Sequence, residues 1–198
     1  FEALYVEQAA QSPRRVLAGE ADALWGAGEG WPGFLQLAQA PGGDYGIHSE
    51  MFTTGLMHLH QAGKVSNRKG YLDGLSVCTF AAGTRELYEW LDHNREVCFL
   101  PVDQVNEPGL IARNRNLVSI NGALAVGLCG QIAADTLAGR QFSGIGGHED
   151  FVAGAAFSAH GRSLVCLPAT AKAGGAQVSR TLSELPRGTL VTTPRHQV

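Results

Sequence analysis

Short apolar runs alternate along this chain with segments in which apolar residues recur at helical spacing. The apolar runs predict strands, at residues 21–25, 45–49, 76–81, 97–100, 117–128, 163–167 and 189–193. The helical spacing predicts helices, opening at Pro32, over 52–63, around 87–91 with Thr84 as N-cap, near 108–113 and over 150–157. The run 117–128 is interrupted by Gly122 and Gly127, which is typical of a strand with bulges.

Strands separated by helices predict an α/β fold with a mostly parallel sheet and helices on both faces. Such sheets bind ligands beyond the carboxyl ends of their strands, where the strand-to-helix turns collect. Three turns are unusual for their composition: Gly26-Ala27-Gly28, Ser49-Glu50 and the glycine-rich turn 144–147. We expect all three to lie at the same edge of the sheet, which makes that edge the candidate site.

Composition fits a globular chain with an excess of glycine. The 198 residues are 44% hydrophobic and 17% charged, which excludes a disordered tail and a coiled coil. Glycine accounts for 26 residues, well above the usual fraction of about 7%. Glycine is needed in tight turns and where backbone approaches a ligand closely, so the excess agrees with the glycine-rich turns.

Charge and cysteine usage narrow the function classes. The net charge is −3 with scattered basic residues, so we expect no nucleic-acid partner. No apolar run reaches the roughly 18 residues of a membrane span, and no zinc-ligand spacing is present, so we expect no membrane and no metal. Each of the four cysteines lies in an apolar stretch, which predicts buried, reduced thiols and a cytoplasmic location. The chain opens on Phe1, so we expect a fragment or a processed product.

Glycine-rich turns that open helices expose N–H groups able to hold a phosphate or a developing oxyanion. They also serve simply as tight turns. Glu50 has a similar alternative: Ser49 could cap a helix whose first turn favours the Glu50 charge. Complete phosphate-loop and dinucleotide fingerprints are missing, and the nucleophile elbow of serine hydrolases is missing as well.

Seven segments together resemble the acetyl-CoA hydrolase/transferase family, which includes 4-hydroxybutyrate, acetate and succinate CoA-transferases. They are GAGEGWP (26–32), DYGIHSEMFTTGL (44–56), AGKVSNRKG (62–70), PVDQVNEPGLIARN (101–114), GRQFSGIGGHEDFVAGA (139–155), LPATAKAGG (167–175) and VTTPRH (191–196). The resemblance covers essentially the whole chain. It implies that residues 1–198 form the C-terminal catalytic domain, with a class I CoA-transferase-like fold, and that the N-terminal domain is absent from this chain.

The resemblance also implies a mechanism centred on Glu50. In the family this glutamate attacks an acyl-CoA, and CoA is then carried as a glutamyl thioester until a small carboxylic acid takes it. Backbone N–H groups at Ala27 and Gly147 are implied as oxyanion donors. Two alternatives stay open: an acyl-CoA hydrolase that uses the same glutamate, and a non-catalytic CoA-binding subunit.

The remaining site residues are carried over from the same resemblance. Asn106 matches a family asparagine beside the acyl or carboxylate group, although a plain turn asparagine is an alternative. The implied contacts to coenzyme A are Gly26, Ala27, Gly28, Ser143, Gly146, Gly147 and Lys172. For Lys172 the alternative is a solvated loop charge. The implied partners are an N-terminal domain or partner subunit, and we expect a homo-oligomer.

Overall fold

The computed structural model describes residues 23–24, 38–39, 41–137 and 139–197. Its helices are α1 Thr54–Gln61, α2 Arg85–Leu91, α3 Val102–Val105, α4 Pro108–Ile111 and α5 His148–Phe157, followed by a 3-10 turn at Arg195–Gln197. Its strands are β1 Ala23–Leu24, β2 Gly46–Ile47, β3 Met51–Thr53, β4 Ser76–Cys78, β5 Phe80–Ala82, β6 Val97–Phe99, β7 Leu117–Gly122, β8 Ala125–Gly127, β9 Ile132–Ala133, β10 Thr136–Leu137, β11 Arg140–Gln141, β12 Arg162–Cys166, β13 Thr170–Ala173, β14 Ala176–Ser179 and β15 Thr181–Leu182.

A parallel four-stranded sheet, ordered β12-β7-β1-β2, forms the centre of the described chain. Its best-developed pair is β7 with β12, in register from Val118 opposite Arg162 to Gly122 opposite Cys166. β7 is buried along its first five residues, as expected of a strand covered on both faces. The predicted mixed α/β class with parallel strands is confirmed, whereas helices on both faces of one sheet stay a prediction.

The other strands form smaller sheets. β3 pairs in parallel with β5, and β4 with β6. β8 lies between β15, which is parallel, and β9, which is antiparallel. Two antiparallel hairpins are formed by β10 with β11 and by β13 with β14. The second hairpin turns at Gly174 and Gly175, whose φ angles of 57° and 80° are those that a type I′ turn requires.

Two clusters of buried apolar residues hold these elements together. The larger surrounds α1 and contains Tyr45, Phe52 and Leu56. The smaller joins α3, α4 and α5 to β4 and β7, and consists of Val77, Val105, Ile111, Leu117, Phe151 and Ala155. Because Val105 immediately precedes the candidate residue Asn106, and Phe151 lies in the helix that follows the candidate residue Gly147, the smaller cluster fixes the backbone of the site.

Gly154 permits the close approach of α4 and α5, and its replacement is expected to destabilise the fold. A Cβ atom at position 154 would lie 2.6 Å from Cβ of Ile111, so a β-branched side chain must push the two helices apart. We expect Gly154→Val to lower the free energy of unfolding by about 2 kcal/mol, measured by thermal or urea unfolding. Gly122→Ala is the control, because nothing lies within 4 Å of its Cβ position. Equal stability of the two variants would contradict this packing.

Several predicted boundaries are wrong in detail. The run 76–81 is two strands, because the N–H groups of Thr79 and Phe80 turn to donate to the carbonyl of Glu50. The run 117–128 also splits into two strands, which belong to different sheets. Residues 189–193 form no strand: only Thr193 pairs, in an isolated bridge with Ile132.

Other elements follow the sequence prediction closely. Thr84 caps α2, and its Oγ1 accepts a hydrogen bond from the N–H of Leu87. α1 begins at Thr54, while Phe52 of the predicted helix lies in β3. α5 begins at His148, two residues earlier than predicted. The helix predicted from Pro32 lies outside the described residues.

The four cysteines are free, and they differ in exposure. Cys78 is buried, and burial raises the pKa of its thiol to about 12. Cys98 and Cys166 are partly buried, whereas Cys129 is exposed, so the prediction that all four are buried is wrong. Among the described residues, no helix combines the length and apolar character that crossing a membrane requires.

Candidate active site

Glu50 lies at the bend between β2 and β3, where backbone hydrogen bonds hold it on both sides. The N–H of Ser49 donates to the carbonyl of Val77 at 3.0 Å. The carbonyl of Glu50 accepts from the N–H groups of Thr79 at 2.9 Å and Phe80 at 3.2 Å. The Glu50 side chain, which is partly buried, therefore projects from a backbone position that cannot easily shift.

The alternative role of Ser49 and Glu50 as a helix start is wrong. The helix that follows, α1, begins at Thr54 with Thr53 as its N-cap residue. Ser49 Oγ donates instead to the carbonyl of Met51 at 2.8 Å. Three strand residues thus separate Glu50 from α1, and its carboxylate does not serve that helix.

Asn106 holds the Glu50 carboxylate directly. Its Nδ2 donates to Oε2 of Glu50 at 2.5 Å, and its side chain is only 9% exposed. The backbone N–H of Asn106 donates to the carbonyl of Val102 and closes α3. A charge-assisted bond of this kind is stronger than a neutral one, so the amide fixes the orientation of the carboxylate.

His48 connects the Glu50 strand to the Asn106 helix, a role that sequence reasoning missed. Its ring is fully buried, and Nε2–H donates to the carbonyl of Val105 at 2.7 Å. Nδ1 accepts from the side-chain amide of Asn114 at 3.0 Å. Burial lowers the pKa of His48 to about 4, so the ring is neutral near pH 7. It holds the residue before Asn106 against the strand that leads to Glu50.

Gly146 and Gly147 lie against the other side of the Glu50 carboxylate. Gly146 has a φ of 57°, and its Cβ position lies 3.6 Å from Oε1 of Glu50. A Cβ atom at position 147 would lie 2.5 Å from Oε2 of Glu50 and 2.7 Å from Nδ2 of Asn106. Only glycine fits there. Since Gly147 is the N-cap residue of α5, the carboxylate lies near the electropositive end of that helix.

The carboxylate borders an open cavity of about 490 Å³. The cavity is lined by Glu50, Val102, Asp103, Asn106, Glu107, Gly146 and Asp150. Burial raises the pKa of Asp150, and the charges of Glu50 and Glu149 raise it further. Sequence reasoning treated Asp150 only as a helix-start residue.

The beginning of α5 is also tied to the segment near residue 193. Thr193 Oγ1 donates to Oε1 of Glu149 at 2.6 Å and accepts from Nε2 of His148 at 2.8 Å. Burial lowers the pKa of His148, which agrees with a neutral ring in this contact. The network therefore positions the helix start that follows Gly147.

The structure brings Glu50, Asn106, Gly146 and Gly147 together, but it does not bring in all the predicted residues. Ser143 and Lys172 are exposed and are not among the residues that line the cavity. Lys172 lies on the hairpin strand β13. Gly26, Ala27 and Gly28 lie outside the described residues. Within the described ranges, no group of three or more His, Cys, Asp or Glu side chains is arranged to hold a metal ion.

Comparison with known proteins shows the family of this chain. Residues 83–198 match the family described as "Acetyl-CoA hydrolase/transferase C-terminal domain". The chain is 42% identical over 154 residues to the 4-hydroxybutyrate coenzyme A transferase of Clostridium kluyveri, covering 77% of this chain. The chain therefore belongs to the acetyl-CoA hydrolase/transferase family.

This chain is also similar in structure to solved proteins. RipA from Yersinia pestis superposes with a TM-score of 0.82 at 38% identity, covering 94% of this chain and 42% of that one. A 4-hydroxybutyrate CoA-transferase from Porphyromonas gingivalis gives a TM-score of 0.73 at 30% identity, covering 92% and 43%. The chain spans about 35% of the length of the Clostridium relative, so the comparisons concern one part of longer proteins.

The contact between Asn106 and Glu50 is expected to matter for activity more than for folding. Asn106→Ala removes the donor to Oε2 and leaves the carboxylate free to rotate. We expect kcat/KM of the full-length protein for the CoA transfer proposed below to fall about a hundredfold, with little change in the thermal midpoint. Asn94→Ala is the control, because Asn94 is also an asparagine at a helix end, bonded to Trp90 at 3.4 Å. Equal activity in both variants would contradict the role of Asn106.

Proposed function

We propose that this chain is the C-terminal catalytic domain of a CoA-transferase, which moves CoA between an acyl-CoA and a small carboxylic acid. The observation that carries the proposal is the position of the Glu50 carboxylate. It accepts a hydrogen bond from the Asn106 amide at 2.5 Å, packs closely against Gly147 and lines a cavity. A fixed, cavity-facing carboxylate is what a covalent carrier of CoA requires. We further propose that an N-terminal domain completes the site and that the enzyme is a cytoplasmic homo-oligomer.

In the first half-reaction, a carboxylate oxygen of Glu50 attacks the thioester carbonyl of the acyl-CoA. The carbon–sulfur bond breaks, CoA leaves as a thiolate, and an acyl–glutamyl anhydride remains. The thiolate then attacks the glutamyl carbonyl of Glu50, and the acid leaves as its carboxylate. The product is a glutamyl-CoA thioester. A second carboxylic acid then accepts the CoA by the same steps in reverse, which regenerates the Glu50 carboxylate.

Each tetrahedral intermediate carries an oxyanion that needs hydrogen-bond donors. Asn106 supplies a side-chain amide already within reach of the Glu50 carboxyl group. We assign backbone N–H donors to Gly147 and Ala27. The close approach of Gly147 to Oε2 supports the first assignment, and the second rests on the sequence resemblance.

CoA binding extends beyond the reacting atoms. We propose that Gly26, Ala27, Gly28, Ser143, Gly146, Gly147 and Lys172 contact coenzyme A. Ser143 and Lys172 are exposed on this chain, which leaves them accessible to the long nucleotide and pantetheine portion of CoA. Binding energy from these remote contacts would offset the unfavourable anhydride step.

Exchange of labelled acetate into acetyl-CoA tests the proposed reaction on the full-length protein. A transferase incorporates label with little release of free thiol, because a carboxylic acid resolves the intermediate. Thiol release at the same rate with and without acetate would overturn the transferase proposal in favour of acyl-CoA hydrolysis. Absence of both reactions with every acyl-CoA and carboxylic acid tested would overturn an enzymatic role and leave a CoA-binding subunit.

A further inference from the structure

A second carboxylate, Asp150, shares the candidate site with Glu50. Both side chains line the same cavity. Asn106, which lines the same cavity, donates to Oε2 of Glu50 at 2.5 Å, and Asp150 follows Gly147, whose Cβ position lies 2.5 Å from that oxygen, by three residues. Sequence reasoning gave Asp150 no role in chemistry.

The backbone that carries Asp150 is held by the core. Asp150 lies in the first turn of α5, and the N–H of the next residue, Phe151, donates to the carbonyl of Gly147 at 3.0 Å. The Phe151 side chain is fully buried in the smaller core cluster and meets the His48 ring edge-on at 5.8 Å. The position from which the Asp150 side chain enters the cavity lining is therefore fixed by the fold.

No described side chain in the cavity lining gives these carboxylates a compensating positive charge. The described lining contains four acidic residues, Glu50, Asp103, Glu107 and Asp150, and no Lys, Arg or His. Two carboxylates that line one cavity repel each other, and this repulsion is stronger near protein than in bulk water. Burial is the largest cause of the raised pKa of Asp150, and the Glu50 charge raises it further, which agrees with that repulsion.

We propose that Asp150 is a positioning residue whose negative charge destabilises the free Glu50 carboxylate and thereby favours the glutamyl-CoA thioester. This inference rests on the proposed function. In the net half-reaction, the Glu50 carboxylate and an acyl-CoA become a neutral glutamyl thioester and a released carboxylate. One negative charge thus moves from the site into solution, and the repulsion from Asp150 disappears. Because the repulsion between Asp150 and Glu50 exists only in the free enzyme, its loss favours formation of the thioester.

The equilibrium between free enzyme and enzyme–CoA thioester tests this role. The full-length protein is mixed at about pH 8 with acetyl-CoA and acetate in varied ratio, and the CoA-bearing fraction is read by intact-protein mass. We expect Asp150→Asn to need a roughly tenfold higher ratio of acetyl-CoA to acetate for half-occupancy. Asp150→Glu should restore most of the wild-type midpoint. Asp92→Asn, which removes an exposed charge at the end of α2, should leave the midpoint unchanged.

The midpoint separates this role from a structural one. A variant that is partly misfolded lowers the maximum occupancy but leaves the half-occupancy ratio where it was. An unchanged midpoint in Asp150→Asn would overturn the electrostatic role of Asp150. Failure of wild type to form any CoA adduct would instead overturn the proposed function itself.

Discussion

We expect Glu50→Gln to lower the proposed CoA transfer by about three orders of magnitude or more. The amide has nearly the shape of the carboxylate, so the bend between β2 and β3 and the packing against Gly147 are retained. In the proposed mechanism the substitution removes the nucleophilic oxygen, so neither the anhydride nor the glutamyl thioester forms. Labelled-acetate exchange into acetyl-CoA measures the effect.

The control for Glu50→Gln is Glu86→Gln, which changes an exposed glutamate in the first turn of α2. It removes the same charge at a residue that is not part of the described cavity lining, and we expect acetate exchange at the wild-type rate. Thermal unfolding of both variants checks that the fold is intact. Exchange by Glu50→Gln within tenfold of the Glu86→Gln rate would mean that another group carries CoA.

We expect Gly147→Ala to produce the second large effect, because the new Cβ atom falls where Glu50 and Asn106, the proposed catalytic groups, lie. It would lie 2.5 Å from Oε2 of Glu50 and 2.7 Å from Nδ2 of Asn106, closer than such atoms can approach. The carboxylate and the amide must both move, and displacements of about 1 Å cost roughly a hundredfold in rate. We expect a loss in kcat of that size, measured by the same exchange assay.

Gly144→Ala is the matched control for Gly147→Ala, since it adds the same methyl group to the same loop. The nearest atom to its Cβ position is the nitrogen of Gly146, at 4.0 Å, so we expect near-wild-type activity. If Gly147→Ala were as active as Gly144→Ala, a methyl group at position 147 would not disturb the Glu50 carboxylate and the Asn106 amide in the way expected.

Local sequence signals were sufficient for the elements that are held together by local contacts. Thr84 is a cap that acts three residues away, and α2 follows from it as predicted. The break of the run 117–128 falls at Gly122, where β7 ends, and the sequence predicted a bulged single strand there instead of two strands. Residues on both sides of the break are apolar, and only pairing with β12 on one side and with β9 and β15 on the other shows where the chain changes sheets.

The candidate site was predicted to the extent that its residues lie in recognisable motifs. Glu50, Asn106 and Gly147 come from three separate segments, and the structure brings them within hydrogen-bond or van der Waals range. His48 and Asp150 were missed because a buried histidine and a helix-start aspartate are ordinary features in isolation. His48 bonds to the carbonyl of Val105 and Asp150 lines the same cavity as Glu50, and in both cases the partner is distant in sequence.

Intact-protein mass after incubation with an acyl-CoA tests the central claim most directly. We expect the full-length wild-type protein to gain the mass of a CoA adduct, and added acetate to remove it. We expect no adduct on Glu50→Gln under the same conditions. A CoA adduct that persists in Glu50→Gln, or a wild-type protein that transfers CoA without ever carrying it, would contradict the assignment of Glu50 as the carrier of CoA.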